Sequence, residues 1–132
     1  MRFMMLMVPG AYADPAPFKM PNDDEIKKMM KYNEELKKAG VLLTLEGLHP
    51  PEEAVRITFK GGAPKLVDGP FAEVKEFVGG YWMLDVRSKE EAIEWAKRCP
   101  AFKDDVIELR QVQEMSEFSE DVQNAARELG EL

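Results

Sequence analysis

A chain of 132 residues with 45% apolar content is long enough for one domain with one sizeable core. The formal net charge of −7, with no basic block and no aromatics interleaved with basic residues, excludes binding driven by phosphate backbones. A single cysteine, Cys99, rules out an internal disulfide, and with a single histidine the chain is short of ligands for a structural zinc site.

The start of the chain imitates a secretion signal. Arg2 precedes the apolar run Phe3 to Val8, and Ala11-Tyr12-Ala13 resembles a cleavage site. That run stops at Pro9-Gly10, short of the roughly seven to fifteen apolar residues a signal needs. Residues 2–8 therefore read as a first strand, apolar almost without alternation and so buried on both faces. No run approaches the roughly eighteen apolar residues of a membrane span. Residues 11–21 hold Pro15, Pro17 and Pro21 without periodicity and read as a loop.

Asn22 or Asp23 caps a first helix, whose positive end suits Asp23, Asp24 and Glu25. Ile26, Met29, Met30 and Leu36 recur at helical spacing, and Gly40 ends the helix. Residues 41–48 form a second strand, cut off by His49-Pro50-Pro51. Val55, Ile57 and Phe59 alternate with Arg56, Thr58 and Lys60, which predicts a half-exposed third strand. Gly61-Gly62 turns the chain into a short return strand from Lys65 to Val67. Residues 81–86 are again apolar on both faces, apart from Asp85. Ser88 with Glu91 is a capping-box pattern for a second helix, ended by Pro100. Cys99 on that helix reads as a small core hydrophobe rather than a nucleophile. A strand over 105–112 follows. Phe118, Val122, Ala125, Ala126 and Leu129 then mark an amphipathic C-terminal helix of about 117–130, to be docked on its own domain or on a dimer mate.

Between the two halves lies Asp68-Gly69-Pro70-Phe71-Ala72-Glu73-Val74-Lys75-Glu76, followed after Phe77-Val78 by Gly79-Gly80-Tyr81 and an apolar strand. Gly69-Pro70 is a stiffened bend, and Asp68 is placed either to cap it or to do chemistry. The stretch resembles the DGPF signature of the YCII-related family, over about residues 2–112. The order of elements is α+β. With the resemblance, it implies a ferredoxin-like βαββαβ sandwich with an inserted hairpin and a C-terminal helix, assembled as a dimeric α/β barrel. Such a sheet carries helices on one face only, yet strands 3–8 and 81–84 are apolar on both. Covering each large apolar side chain is worth roughly 1.5–3 kcal/mol, so a homodimer through the sheet face is expected.

His49 is the one side chain whose ordinary pKa suits proton transfer near neutral pH, and its other reading is a surface loop histidine. The resemblance implies a His–Asp pair, which places Asp68 beside His49. The family position of His49 often holds another residue, such as Gln. Glu46 and Asp85 interrupt apolar strands, so each faces solvent or points into a cleft. Glu73, Lys75 and Glu76 form a charged patch beside the motif, and Tyr12, Tyr81 and Trp82 line either a pocket or the core. Glu46, Glu76 and Tyr81 are the candidate substrate contacts. The sequence has no dinucleotide-binding, phosphate-loop or nucleophile-elbow motif, and Gly79-Gly80 enters a strand rather than a helix. No cofactor and no metal are expected. Two functions fit: a cofactor-free enzyme moving a proton on a small organic acid or lactone, or a ligand-binding or regulatory module. The resemblance links the second to sigma factors and stress response. Cytoplasmic location and the absence of nucleic-acid or membrane partners complete the expectations.

Overall fold

The computed structural model describes residues 1–13, 20–69 and 76–130. In chain order its elements are β1 (Arg2–Val8), α1 (Asp23–Lys38), β2 (Leu42–Gly47), β3 (Val55–Thr58), β4 (Lys65–Asp68), β5 (Gly80–Asp85), α2 (Lys89–Lys97), β6 (Val106–Gln111) and α3 (Glu120–Glu128). Four strands form one antiparallel sheet in the order β2-β5-β1-β6. This is the ferredoxin-like α+β arrangement, with the two strands that read as doubly apolar at its centre.

The helices start where local chemistry starts them. The Asn22 side chain accepts from the Glu25 amide at 2.9 Å, and the Glu25 carboxylate accepts from the Asn22 amide at 3.2 Å. That reciprocal pair satisfies two donors which a helix start leaves open. Gly40 follows the end of α1 at φ 74°, where a side chain would be strained. Ser88 accepts from the Glu91 amide at 3.1 Å, whereas the Glu91 carboxylate turns to the Arg87 amide at 3.0 Å. One face of the sheet packs against α1 and α2. Phe3, Met5, Tyr32, Leu36, Val41, Trp82, Leu84, Val86 and Ala92 are buried there, with Ile107, Leu109, Trp95 and Cys99 packed around them.

Two features depart from the reading of the chain, and a third leaves its alternatives open. Gly10–Ala13 is a 3-10 turn, not loop, and it buries Tyr12. Its latch is Asp105, whose carboxylate accepts from the Gly10 amide at 2.8 Å and the Phe102 amide at 2.9 Å. Pro15 and Pro17 lie outside the described residues. Secondly, among the described residues β3 and β4 pair only with each other. The alternation of β3 therefore has no core to face, and Val55 and Ile57 point into solvent. Of the α3 stripe, Ala126 is buried within the copy, while Phe118, Val122 and Leu129 are exposed. Asp85, which interrupts β5, is occupied by the Met1 amino group at 3.2 Å.

Candidate functional site

The strand registers assign the second face of the sheet row by row. Glu46 pairs with Tyr81, Tyr81 with Leu6, and Leu6 with Glu108, which makes one row across all four strands. Thr44, Met83, Met4 and Arg110 make the next. Met4, Leu6, Val8, Tyr81 and Met83 are half-buried, while Glu46, Glu108 and Arg110 at the flanks are exposed. This open face is thus an apolar strip with two carboxylates and one guanidinium beside it. Among the described residues neither Arg110 nor Glu108 has an ion-pair partner.

Beyond those rows the sheet is closed by charges already matched. Arg2 donates from Nε and Nη2 to both oxygens of Glu114, at 2.7 and 2.9 Å. These hydrogen bonds hold the Glu114 carboxyl below its ordinary range.

The other end of the strip is rich in glycine because backbones cross there. Gly79 donates to the Met7 carbonyl at 2.7 Å and accepts from the Leu48 amide at 2.9 Å. A Cβ on Gly79 would lie 2.6 Å from Pro9 Cγ and 3.2 Å from the Tyr12 hydroxyl; on Gly80 it would lie 2.9 Å from the Glu46 carbonyl oxygen. The double glycine is therefore a steric requirement. Tyr12 is 5% exposed, and its phenol is pushed up by burial and then by the negative charge of Glu52.

The loops carrying His49 and Asp68 meet at this end, through backbone. The Gly69 amide donates to the Ala54 carbonyl at 3.1 Å. A Cβ on Gly69 would lie 2.8 Å from the carbonyl oxygen of Pro51 and 3.1 Å from that of Glu52. The side chains do not join. His49 Nδ1 lies 2.9 Å from the Glu53 carboxylate, and the ring is 84% exposed. Asp68 ends β4 opposite Val55, is exposed, and makes no side-chain hydrogen bond or ion pair among the described residues. Glu76 is exposed in a turn. Pro70, Phe71, Glu73 and Lys75 lie outside the described residues.

Two participants were not singled out from the sequence. Glu53 is four residues past His49, and the 3-10 turn Pro51–Glu53 brings them together; the proline pair ahead of two acidic residues was the available sign. Arg110 follows Leu109 in an alternating strand, so its outward position was implicit. Cys99 is not a reactive group, because burial pushes its thiol up to about 11. A separate shallow groove of about 610 Å³ runs between α1 and β2, with Met30, Leu42 and Leu45 along it and Lys27, Lys31 and Lys37 at its rim. Among the described residues no cluster of His, Cys, Asp or Glu has the makings of a metal site. No described helix is long and apolar enough to cross a membrane.

The model of the YCII-related domain family matches residues 1–116. The match thus ends ahead of α3. An uncharacterised protein of Rhizobium meliloti is 36% identical over 59 residues, which are 45% of this chain and 48% of that protein. The chain spans about half the length of this relative.

Proposed function

The chain belongs to the YCII-related family, and we propose that it acts as a homodimer that binds a small organic acid on the open face of its sheet. One observation carries this reading: Arg110, without an ion pair among the described residues, stands in the same row as the half-buried Met4 and Met83. A guanidinium beside apolar surface suits a carboxylate with an apolar body, because two parallel hydrogen bonds orient the head while the tail displaces water. A second copy packed on this face supplies the walls and covers the rest of the strip. Glu46, Glu108 and Tyr81 rim the same strip and set which acids enter. The compartment proposed with it is a reducing cytoplasm, where the one thiol stays free.

The experiment is a thermal-shift series with small aliphatic and aromatic carboxylates and their methyl esters. Acids should raise the melting temperature, esters should not, and Arg110→Ala should abolish the rise. A melting temperature that no acid moves, in protein shown by light scattering to be dimeric, sinks the reading.

A second reading, proton transfer on the bound acid or on a lactone, is favoured by the His49–Glu53 contact. An imidazole hydrogen-bonded to a carboxylate is a competent proton carrier, and Asp68 precedes Gly69, whose amide bonds the Ala54 carbonyl of the adjoining loop. Its test is solvent deuterium incorporation into whichever acids bind. Exchange should be lost in His49→Gln and reduced in Asp68→Asn. Exchange at the parental rate in His49→Gln leaves the protein as a binding or regulatory module.

A further inference from the structure

Besides the open sheet face, two further apolar faces among the described residues are uncovered in a single copy. On the β3–β4 arm Val55, Ile57 and Leu66 are 54%, 51% and 59% exposed, and Phe59, just past β3, is 65% exposed. Ile57 and Leu66 are direct cross-strand partners, so they share a face. A two-stranded hairpin is marginal in water without something to pack on. The second face is the stripe of α3, where Phe118, Val122 and Leu129 are 41%, 46% and 75% exposed.

The segments that carry these faces leave opposite ends of the sheet. The arm is rooted where Gly69 bonds Ala54 and Leu48 bonds Gly79, next to the Met7–Gly80 pair. The segment leading to α3 leaves the sheet where Gln111 pairs with Phe3 and the Val112 amide donates to the Arg2 carbonyl at 2.9 Å. Met7 and Phe3 are about 13 Å apart along β1, at roughly 3.3 Å per residue.

Their sizes and charges match. A nine-residue helix is about 13.5 Å long, and a four-residue strand about 13 Å. The arm carries Arg56, Lys60 and Lys65 against Asp68, in a chain of net charge −7. The α3 segment carries Glu117, Glu120, Asp121 and Glu128 against Arg127.

We infer that the β3–β4 arm of one copy packs on α3 of a second copy, and that twofold symmetry forms the same contact again in the other direction. The contact rests on the sheet-face dimer proposed above. It fixes the orientation of that dimer as antiparallel, with the glycine-rich end of one sheet over the end of the other from which the chain leaves for α3. It also makes the open face a shared chamber, bounded at both ends by arms from the opposite copy.

The test is the dimer dissociation constant by light scattering or analytical ultracentrifugation. Lys60→Glu with Lys65→Glu should weaken the dimer about tenfold or more, since each close charge pair is individually weak but occurs twice and is here reversed. Glu120→Lys with Asp121→Lys should do the same. All four substitutions in one chain should recover most of the parental affinity, because a charge reversed on both sides is restored. A loss arising only from removing acids at the start of α3 would not recover. Phe59→Ala, which changes no charge, should weaken the dimer to a similar degree. A persistent dimer with no recovery in the fourfold variant overturns the arm contact and leaves the sheet-face reading standing. Recovery instead by Lys27→Glu with Lys31→Glu places α3 in the groove between α1 and β2, and also overturns it. A monomeric parent removes both readings.

Discussion

Trp82 and Tyr32 illustrate at the residue scale how large polar aromatics are admitted to this core. The indole N–H of Trp82 donates to the Asn33 side chain at 2.7 Å, and the Tyr32 hydroxyl donates to the Trp95 carbonyl at 2.7 Å. The two rings stand edge to face at 6.1 Å. No buried side-chain polar atom lacks a partner among the described residues. Asn33→Ala takes the partner from a buried donor, so it should cost about 1–3 kcal/mol in denaturant unfolding. Tyr32→Phe leaves the Trp95 carbonyl still accepting from the Arg98 amide at 3.1 Å, so it should cost only about 1 kcal/mol. Equal costs would show that the Trp82 bond is exchanged for water. Gly79→Ala should cost about 1–3 kcal/mol by overpacking, since the added carbon meets the ring of Pro9. Cys99 gives a chemical test of burial. With its thiol near 11, alkylation at mildly alkaline pH should run on the order of a hundredfold slower than for a free cysteine. A rate matching the free amino acid would mean that the α2 end opens.

At the scale of elements, what the sequence disclosed divides into local and tertiary decisions. The start of α1 was legible because Asn22 and Glu25 settle it between themselves. The central strands were legible because β1 and β5 are apolar on both faces. The arm and α3 were not: alternation in β3 and the stripe of α3 announce that a face will be covered, without saying by what. The same limit applies to the site. Pro50-Pro51 and Gly69-Pro70 disclosed two stiff loops, and these loops do meet at Gly69. Which carboxylate faces His49 depended on a 3-10 turn, and that turn presents Glu53. The segment after β6 is tied by Arg2 to Glu114, which gives a pH test. The folded Glu114 carboxyl is held below its unfolded range by those hydrogen bonds. The stabilisation is therefore complete above the ordinary glutamate range and is lost as pH falls through the depressed folded value. Glu114→Gln should flatten the fall in melting temperature between neutral and acid pH. A pH profile parallel to that of the parent would remove the pair from the stability of the fold.

For the whole molecule, the deciding quantity is the apolar surface that one copy leaves in water. Met4, Leu6, Val8, Tyr81 and Met83 occupy the open face, and the arm and α3 add exposed Ile57, Phe59, Leu66, Phe118, Val122 and Leu129. A monomer of this size seldom leaves this much apolar surface uncovered unless part of it is an interface. In the homodimer proposed above, folding and association are coupled. Because only the folded copy offers these faces, the melting temperature should rise with protein concentration. Met83→Lys places an ammonium in the middle of the strip. In a single copy its long stem lets the charge reach water, at little cost. In the dimer the charge is trapped without a partner, which costs several kcal/mol. The variant should therefore be a folded monomer whose melting temperature is independent of concentration, while the parent remains a dimer at micromolar concentration. Truncation after Glu114 keeps the Arg2 ion pair and removes α3; it should weaken the dimer while leaving the sheet's own folding intact. If Met83→Lys sediments as a dimer with parental concentration dependence, then the open face is not where the copies meet. The acid-binding strip would in that case have to work without a second wall.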